Sequence, residues 1–145
     1  MSGGLVKTSE NWAILPIRLA LGTIMFAHGA QKVFGIWGGQ GFNQWTSQAA
    51  PFPEMRPSWL WLGAAALSEF VGGALVLIGL YTRVGAFFIA CVMLTAILGV
   101  HWKSGFFINS GGFEFPLALL GMAIALLIHG GGSASIDSQM GGGKK

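Results

Sequence analysis

The fold is decided by WAILPIRLALGTIMFAHGAQKVF, residues 12–34. This apolar stretch is long enough for one helix to cross the hydrocarbon core of a bilayer, which is about 30 Å thick. Pro16 falls in its first turn, where the missing N–H removes no intrahelical hydrogen bond. A secretory signal peptide has an apolar core of only about 7–15 residues. We therefore interpret residues 12–34 as a retained membrane span.

Three further stretches approach the same length: residues 58–80, 84–102 and 113–129. Pro116 lies in the first turn of the last one, as Pro16 does in the first. Hydrophobic residues make up 53% of the chain and charged residues only 9%, whereas an ordinary globular domain has about 25% charged residues. The sequence therefore predicts an all-α fold: one integral membrane domain over residues 1–145, built as an antiparallel four-helix bundle in contact with the lipid bilayer.

The segments outside the spans contain the residues that end helices. Residues 35–57 are rich in glycine and tryptophan and predict a loop at the membrane interface. Phe42, Trp45 and Ala49 recur there at helical spacing, so a short amphipathic helix and an irregular loop are both open. The chain ends in GGGKK, which has no core-forming residues, and we predict a flexible tail over residues 130–145.

Tryptophan positions agree with these spans, because indole rings favour the membrane–water boundary. Five tryptophans fall at or just beyond a predicted span end: Trp12, Trp37, Trp59, Trp61 and Trp102. The basic residues predict the orientation. The side that holds both termini collects Lys7, Arg83, Lys144 and Lys145, and the positive-inside rule then favours cytoplasmic termini.

Composition and motifs exclude several classes of function. The net charge of +3 forms no basic stripe interleaved with aromatic residues, so we expect no nucleic-acid partner. The single cysteine, Cys91, has no partner for thiol–disulfide chemistry within the chain. The sequence also lacks a Gly-x-Ser-x-Gly elbow and a glycine-rich nucleotide fingerprint.

Ionisable side chains inside a membrane span are costly, so they normally face the bundle interior and pair with another group. Arg18, His28 and Lys32 share one face of the first helix when residues are placed about 100° apart. Glu69 lies near the middle of the second span, where no other carboxylate is close. We predict an Arg18–Glu69 pair; such a pair either takes part in chemistry or only fixes the helix register, and both alternatives are open.

In an antiparallel bundle, His28 and Lys32 reach the same side of the membrane as His101 and Glu114. We predict that these four residues and Glu69 line one cavity at the non-cytoplasmic interface, with tryptophans as its apolar wall. A closed cluster without room for a ligand is the alternative. His28, His101 and Glu114 come from three helices without the local spacing of a metal motif, so we predict no metal site.

Three segments make the chain recognisable when taken together: LPIRLALGTIMFAHGAQKVFGIWGGQG (15–41), SEFVGGALVLIGLYTRVGA (68–86) and GGFEFPLALLGMAIALL (111–127). They resemble the DoxX family of small bacterial membrane proteins. The resemblance implies a multi-pass protein of the bacterial inner (plasma) membrane. Relatives include the membrane subunit of an archaeal thiosulfate:quinone oxidoreductase and a mycobacterial member that assembles with soluble redox proteins. The residues of this chain that match the polar positions of the family pattern are Arg18, His28, Gln31, Lys32, Glu69, Arg83 and Glu114.

Two hypotheses about function follow from these residues and the resemblance. The first is a redox-associated membrane subunit that binds a quinone or a small sulfur oxyanion and receives electrons from a soluble partner or from the substrate. Its catalytic, proton-transferring side chains would be His28, Glu69, His101 and Glu114. Its ligand-binding side chains would be Arg18, Gln31, Lys32, Trp37, Trp59 and Trp102. The second is a non-catalytic lipid-binding or scaffold protein, and a homo-oligomer is open under both.

Overall fold

The computed structural model describes residues 4–8 and 10–141, and these residues form helices and no strand. The α-helices are α1 (Ile14–Phe34), α2 (Phe42–Thr46), α3 (Ser58–Ile78), α4 (Thr82–Ala96), α5 (Glu114–His129) and α6 (Ile136–Gly141). A π-helical turn (Ile97–His101) continues α4, and two 3₁₀ turns (Trp102–Ser104 and Ile108–Ser110) lead to α5. The predicted all-α fold is confirmed. Of the two alternatives for residues 35–57, the structure has the short helix, α2.

Two helical stretches of the described chain are long and apolar enough to cross a membrane, Ser58–Ile78 and Thr82–Ser104. α5 is also apolar but has only 16 residues. Large apolar side chains remain exposed along the outside of these helices: Leu67, Val71, Phe87, Phe88, Leu94, Leu98, Leu117, Ile124 and Ile128. An exposed apolar surface of this extent indicates contact with lipid rather than with water.

The four long helices enclose one core. α1 packs against α3, α3 against α4, α4 against α5, and α5 against α1. The largest fully buried apolar side chains are contributed by all four helices: Leu21, Met25, Val76, Ile89 and Leu126. Their burial fixes which face of each helix points inward.

α1 and α3 approach each other at backbone distance through glycines. A Cβ atom added at Gly29 would lie 2.3 Å from the backbone nitrogen of Phe70, and one added at Gly73 would lie 2.4 Å from that of Phe26. Small residues allow such close helix contacts. The two contacts run in opposite directions along the two helices, so α1 and α3 are antiparallel. The last turns of α1 therefore lie beside the middle of α3.

The predicted Arg18–Glu69 pair is wrong. Nη1 of Arg18 donates a hydrogen bond of 2.7 Å to the carbonyl oxygen of Gly131, near the start of α1. Glu69 pairs with Lys32 instead. The helix register explains the difference, because Glu69 is level with the last turns of α1. Arg18 lies about 20 Å from Lys32 along the helix axis, at 1.5 Å per residue.

The C-terminal segment is folded, so the predicted flexible tail is wrong for residues 130–141. Asp137 of α6 is only 1% exposed. Its carboxylate accepts hydrogen bonds from the backbone N–H groups of Tyr81 at 2.7 Å and Thr82 at 2.8 Å. N–H groups at the start of a helix have no intrahelical acceptor, so this carboxylate completes the beginning of α4. Residues 142–145 of the predicted tail lie outside the described residues.

Candidate functional site

A cavity of about 350 Å³ lies between α1, α3, the end of α4 and the start of α5. We call it the polar cavity, because four ionisable side chains line it: His28, Lys32, Glu69 and His101. The rest of its wall is mostly apolar and includes Met25, Met93, Ala96, Phe115 and Leu119. Ligand sites typically have volumes of about 300–1,000 Å³, apolar walls and a few convergent polar groups. The polar cavity has this character.

Lys32 and Glu69 form an ion pair at one wall of the polar cavity. Nζ of Lys32 lies 2.6 Å from both carboxylate oxygens of Glu69. Glu69 is 3% exposed and Lys32 is 21% exposed. The ammonium also lies 4.5 Å from the ring centroid of Trp45, a distance at which a cation is attracted to the ring face. Lys32 occupies the last turn of α1, where the helix dipole favours a cation.

His101 enters the cavity from the π-helical turn that continues α4. The regular helix ends at Ala96, and the wider turn Ile97–His101 changes the direction of the side chains that follow. Turns of this kind are frequent at functional sites. Nδ1 of His101 lies 2.8 Å from the carbonyl oxygen of Gly111. Because that oxygen can only accept, Nδ1 carries the hydrogen and Nε2 of the neutral ring is an acceptor.

His28 lies opposite, on α1, and is exposed. Its ring lies 6.4 Å from that of Phe115, centroid to centroid. Within the described residues, neither ring nitrogen of His28 has a hydrogen bond to the protein. Both nitrogens are therefore available to a ligand.

Glu114 does not line the polar cavity, in contrast to the prediction. Its Oε2 atom accepts a hydrogen bond of 3.0 Å from the backbone N–H of Ile108. Glu114 is the first residue of α5, so this bond fixes the turn that leads into the helix. Across residues 4–8 and 10–141, no three histidine, cysteine, aspartate or glutamate side chains are grouped closely enough to hold a metal ion.

The other predicted ligand-binding residues lie away from the polar cavity. Arg18 is near the opposite end of α1. Nε2 of Gln31 donates to the backbone carbonyl of Trp37 at 3.2 Å. Trp37, Trp59 and Trp102 are 67%, 61% and 57% exposed. The preference of indole for the membrane boundary determines how deep a tryptophan lies in the bilayer. It does not determine whether the ring faces a cavity.

A second cavity, also of about 350 Å³, lies between α3 and α4 beneath the loop that contains α2. We call it the apolar groove, because most of its wall is carbon, including Trp45, Trp61, Ala65, Phe88 and Val92. Lys32, Glu69 and Ala96 line both the groove and the polar cavity. The groove was not predicted from the sequence. Its signal in the sequence is the run of small residues that includes Ala64, Ala65 and Ser68, a pattern that equally permits close helix packing.

Comparison with known proteins identifies the class to which this fold and site belong. The DoxX family profile matches residues 13–102, which is more than half of the chain. The chain therefore belongs to the DoxX family and is a membrane protein. The match includes His28, Lys32, Glu69 and His101, whereas Glu114 and α5 lie beyond it.

Two relatives align with most of the chain. An "Uncharacterized protein" of Haemophilus influenzae is 26% identical over 127 residues, which cover 87% of this chain and 82% of that protein. A Bacillus subtilis protein named "Putative oxidoreductase CatD" is 32% identical over 131 residues, which cover 90% of this chain and 89% of that protein. No solved structure matches the chain significantly.

Proposed function

We propose that this protein is the membrane-embedded, quinone-binding component of a redox system, and that the polar cavity holds the quinone head group. The observation that carries the proposal is the convergence of His28, His101 and the Lys32–Glu69 pair on one cavity with an otherwise apolar wall. A quinone ring needs apolar contacts on its faces and hydrogen-bond donors at its two oxygens. The name of the Bacillus subtilis relative, which includes the word oxidoreductase, supports a redox role.

The membrane arrangement belongs to the same proposal. The four long helices form an antiparallel bundle in the bacterial inner membrane, with both termini in the cytoplasm. Contacts between Thr8 and the segment that follows α5 support placing both on the same side of the membrane. Oγ1 of Thr8 donates to the carbonyl oxygen of His129 at 3.2 Å and accepts from the N–H of Gly132 at 2.6 Å. The polar cavity then opens toward the opposite side of the membrane.

Reduction of a quinone to a quinol takes up two electrons and two protons. The electrons come from a soluble redox partner or from a reduced substrate. His28 and His101 supply the protons at the head group from their imidazolium forms, in which the ring nitrogen that makes no bond to the protein also carries a hydrogen. Lys32 donates a hydrogen bond to a carbonyl oxygen of the quinone. The carboxylate of Glu69 balances the positive charge of the Lys32 ammonium in the apolar surroundings.

The ion pair also distinguishes the two ligand classes expected from the sequence. A sulfur oxyanion needs an uncompensated cation in the site, because burying an unpaired charge is costly. Lys32 already has both oxygens of Glu69 within 2.6 Å. The cavity is therefore better suited to an uncharged head group than to an anion.

The test is recovery of quinone from protein purified in detergent, measured by organic extraction and mass spectrometry. We expect quinone with the wild-type protein and with His129→Ala, because His129 lies at the far end of α5 from the cavity. His28→Ala should lose at least about nine-tenths of it while remaining folded. Equal recovery from His28→Ala and wild type would remove the polar cavity from consideration, and recovery of phospholipid alone would assign the chain to the lipid-binding or scaffold class.

A further inference from the structure

The polar cavity and the apolar groove meet at Lys32, Glu69 and Ala96. The ion pair closes one part of this boundary, since its two N–O contacts are both 2.6 Å. Ala96 forms another part and presents only a methyl group. It is the last residue of α4, directly before the π-helical turn that carries His101. Of the three shared residues, Ala96 therefore has the smallest side chain and is the only uncharged one.

The groove has the surface expected of a site for an apolar chain. On the α3 side of the groove, Ala65 and Ser68 have small side chains that leave space for a ligand. On the α4 side, the wall includes Phe87 and Phe88. These two phenylalanines are 54% and 48% exposed on the lipid-facing surface. A molecule in the bilayer can therefore reach the groove without crossing water.

One wall of the groove is held in place by its own hydrogen bond. Nε1 of Trp45 donates to the carbonyl oxygen of Leu62 at 2.8 Å, so the indole has no free donor and offers the groove a ring surface. Lys32 lies over the same ring. The Lys32 ammonium and the indole ring therefore lie together at the part of the groove that Glu69 also lines.

We propose that the apolar groove binds the isoprenoid chain of the quinone whose head group occupies the polar cavity, and that the chain passes from one to the other beside Ala96. This inference rests on the proposed function. The three shared wall residues place the groove beside the polar cavity, which favours this occupant over an unrelated lipid, because a phospholipid acyl chain would place its charged head group at the already paired Lys32 and Glu69. Ala96 is then the residue that determines specificity for long-chain quinones.

The first test compares Ala96→Leu with Ala118→Leu, a control on the exposed surface of α5. Binding of decylubiquinone, which has a ten-carbon chain, and of duroquinone, which has none, is measured for each detergent-solubilised protein. Both rings are fully substituted and do not alkylate thiols. We expect Ala96→Leu to weaken decylubiquinone binding by at least about tenfold more than it weakens duroquinone binding, because the added carbons obstruct the alkyl chain, which only decylubiquinone has. Ala118→Leu should change neither.

An equal loss of both ligands, or no loss of either, would overturn the role of Ala96. If the wild-type protein binds neither quinone, the proposed quinone-binding function is wrong. That result differs from quinone binding that does not depend on Ala96, which contradicts only the role of Ala96.

A second readout needs no variant, because the single cysteine of the chain, Cys91, lines the apolar groove. Decylubiquinone should slow alkylation of Cys91 by N-ethylmaleimide by at least about tenfold, and duroquinone should not slow it. Equal effects of the two quinones would contradict chain binding in the groove. Full protection by phospholipid alone, with no further effect of decylubiquinone, would make the groove an acyl-chain site instead.

Discussion

The Lys32 ammonium lies 2.6 Å from both carboxylate oxygens of Glu69, and it joins the last turn of α1 to the middle of α3. The two partners are not equally buried: Glu69 is 3% exposed and Lys32 is 21% exposed. Loss of either partner leaves the other charge uncompensated, and the more deeply buried charge has less access to water. The consequences of breaking the pair should therefore differ between the two residues.

Lys32→Ala should lower the free energy of unfolding by about 3–5 kcal/mol, because it leaves a buried carboxylate unpaired. Glu69→Ala should cost less, since the long side chain of Lys32 can move its ammonium toward the interface. The double variant should lose less than the sum of the two single losses. Unfolding of the purified proteins in mixed micelles, followed by circular dichroism, measures all three.

The matched control is the pair Arg18→Ala and Glu69→Ala. Their effects should add, because Arg18 lies about 20 Å along α1 from Lys32, the partner of Glu69, and bonds to Gly131 instead. Coupling between Arg18 and Glu69, or simple additivity between Lys32 and Glu69, would contradict the ion pair described above.

The polar cavity was partly predictable, because helical periodicity alone places His28 and Lys32 on one side of α1. The partner of Glu69 was not predictable in this way. Periodicity gives the rotation of a side chain about its own helix, whereas pairing also depends on how far one helix is shifted along another. That shift is set here by backbone contacts such as Gly29 with Phe70, and a sequence pattern does not state which glycine meets which residue.

Asp137 and Glu114 illustrate a second limit. Both carboxylates bond to backbone N–H groups of other segments, Asp137 to the start of α4 and Glu114 to Ile108. Their partners become known only when those segments are brought together. Asp137 also lies in a short segment without hydrophobic periodicity. Its sequence context is therefore the same as that of a residue in a flexible tail, although its side chain is buried.

Asp137→Ala should lower the free energy of unfolding by about 1–3 kcal/mol, because the N–H groups of Tyr81 and Thr82 lose their acceptor. Gln139→Ala, an exposed residue two positions further along α6, should have an effect within about 0.5 kcal/mol. The measurement is again unfolding in mixed micelles. Equal stability of Asp137→Ala and Gln139→Ala would show that the C-terminal segment adds nothing to the fold.

Gly29→Ala should lower the free energy of unfolding by more than about 2 kcal/mol, because its Cβ would lie 2.3 Å from the backbone of Phe70 and the helices would have to separate. Gly121→Ala is the control, since a Cβ there meets no atom within 4 Å. That change should raise the free energy by about 0.5–1 kcal/mol, because alanine has the higher helix propensity. A tolerated alanine at Gly29 would be inconsistent with the contact between α1 and α3.

The last prediction concerns orientation in the membrane. Arg83 donates to the carbonyl oxygens of Lys7 and Ile128 at 3.2 Å and 3.0 Å, which brings Lys7 and Arg83 together at the end of the protein where α4 begins and α5 ends. The positive-inside rule then places this end in the cytoplasm.

Exposed positions suitable for labelling are Asn43 in α2 and Gln139 in α6. Each is changed to cysteine in a Cys91→Ser background and treated with a membrane-impermeant maleimide in intact spheroplasts. Asn43→Cys should be labelled at once, and Gln139→Cys should be labelled only after lysis. The reverse pattern would invert the topology and open the polar cavity toward the cytoplasm, and labelling of both in intact spheroplasts would mean that the helices between them cross the membrane an even number of times.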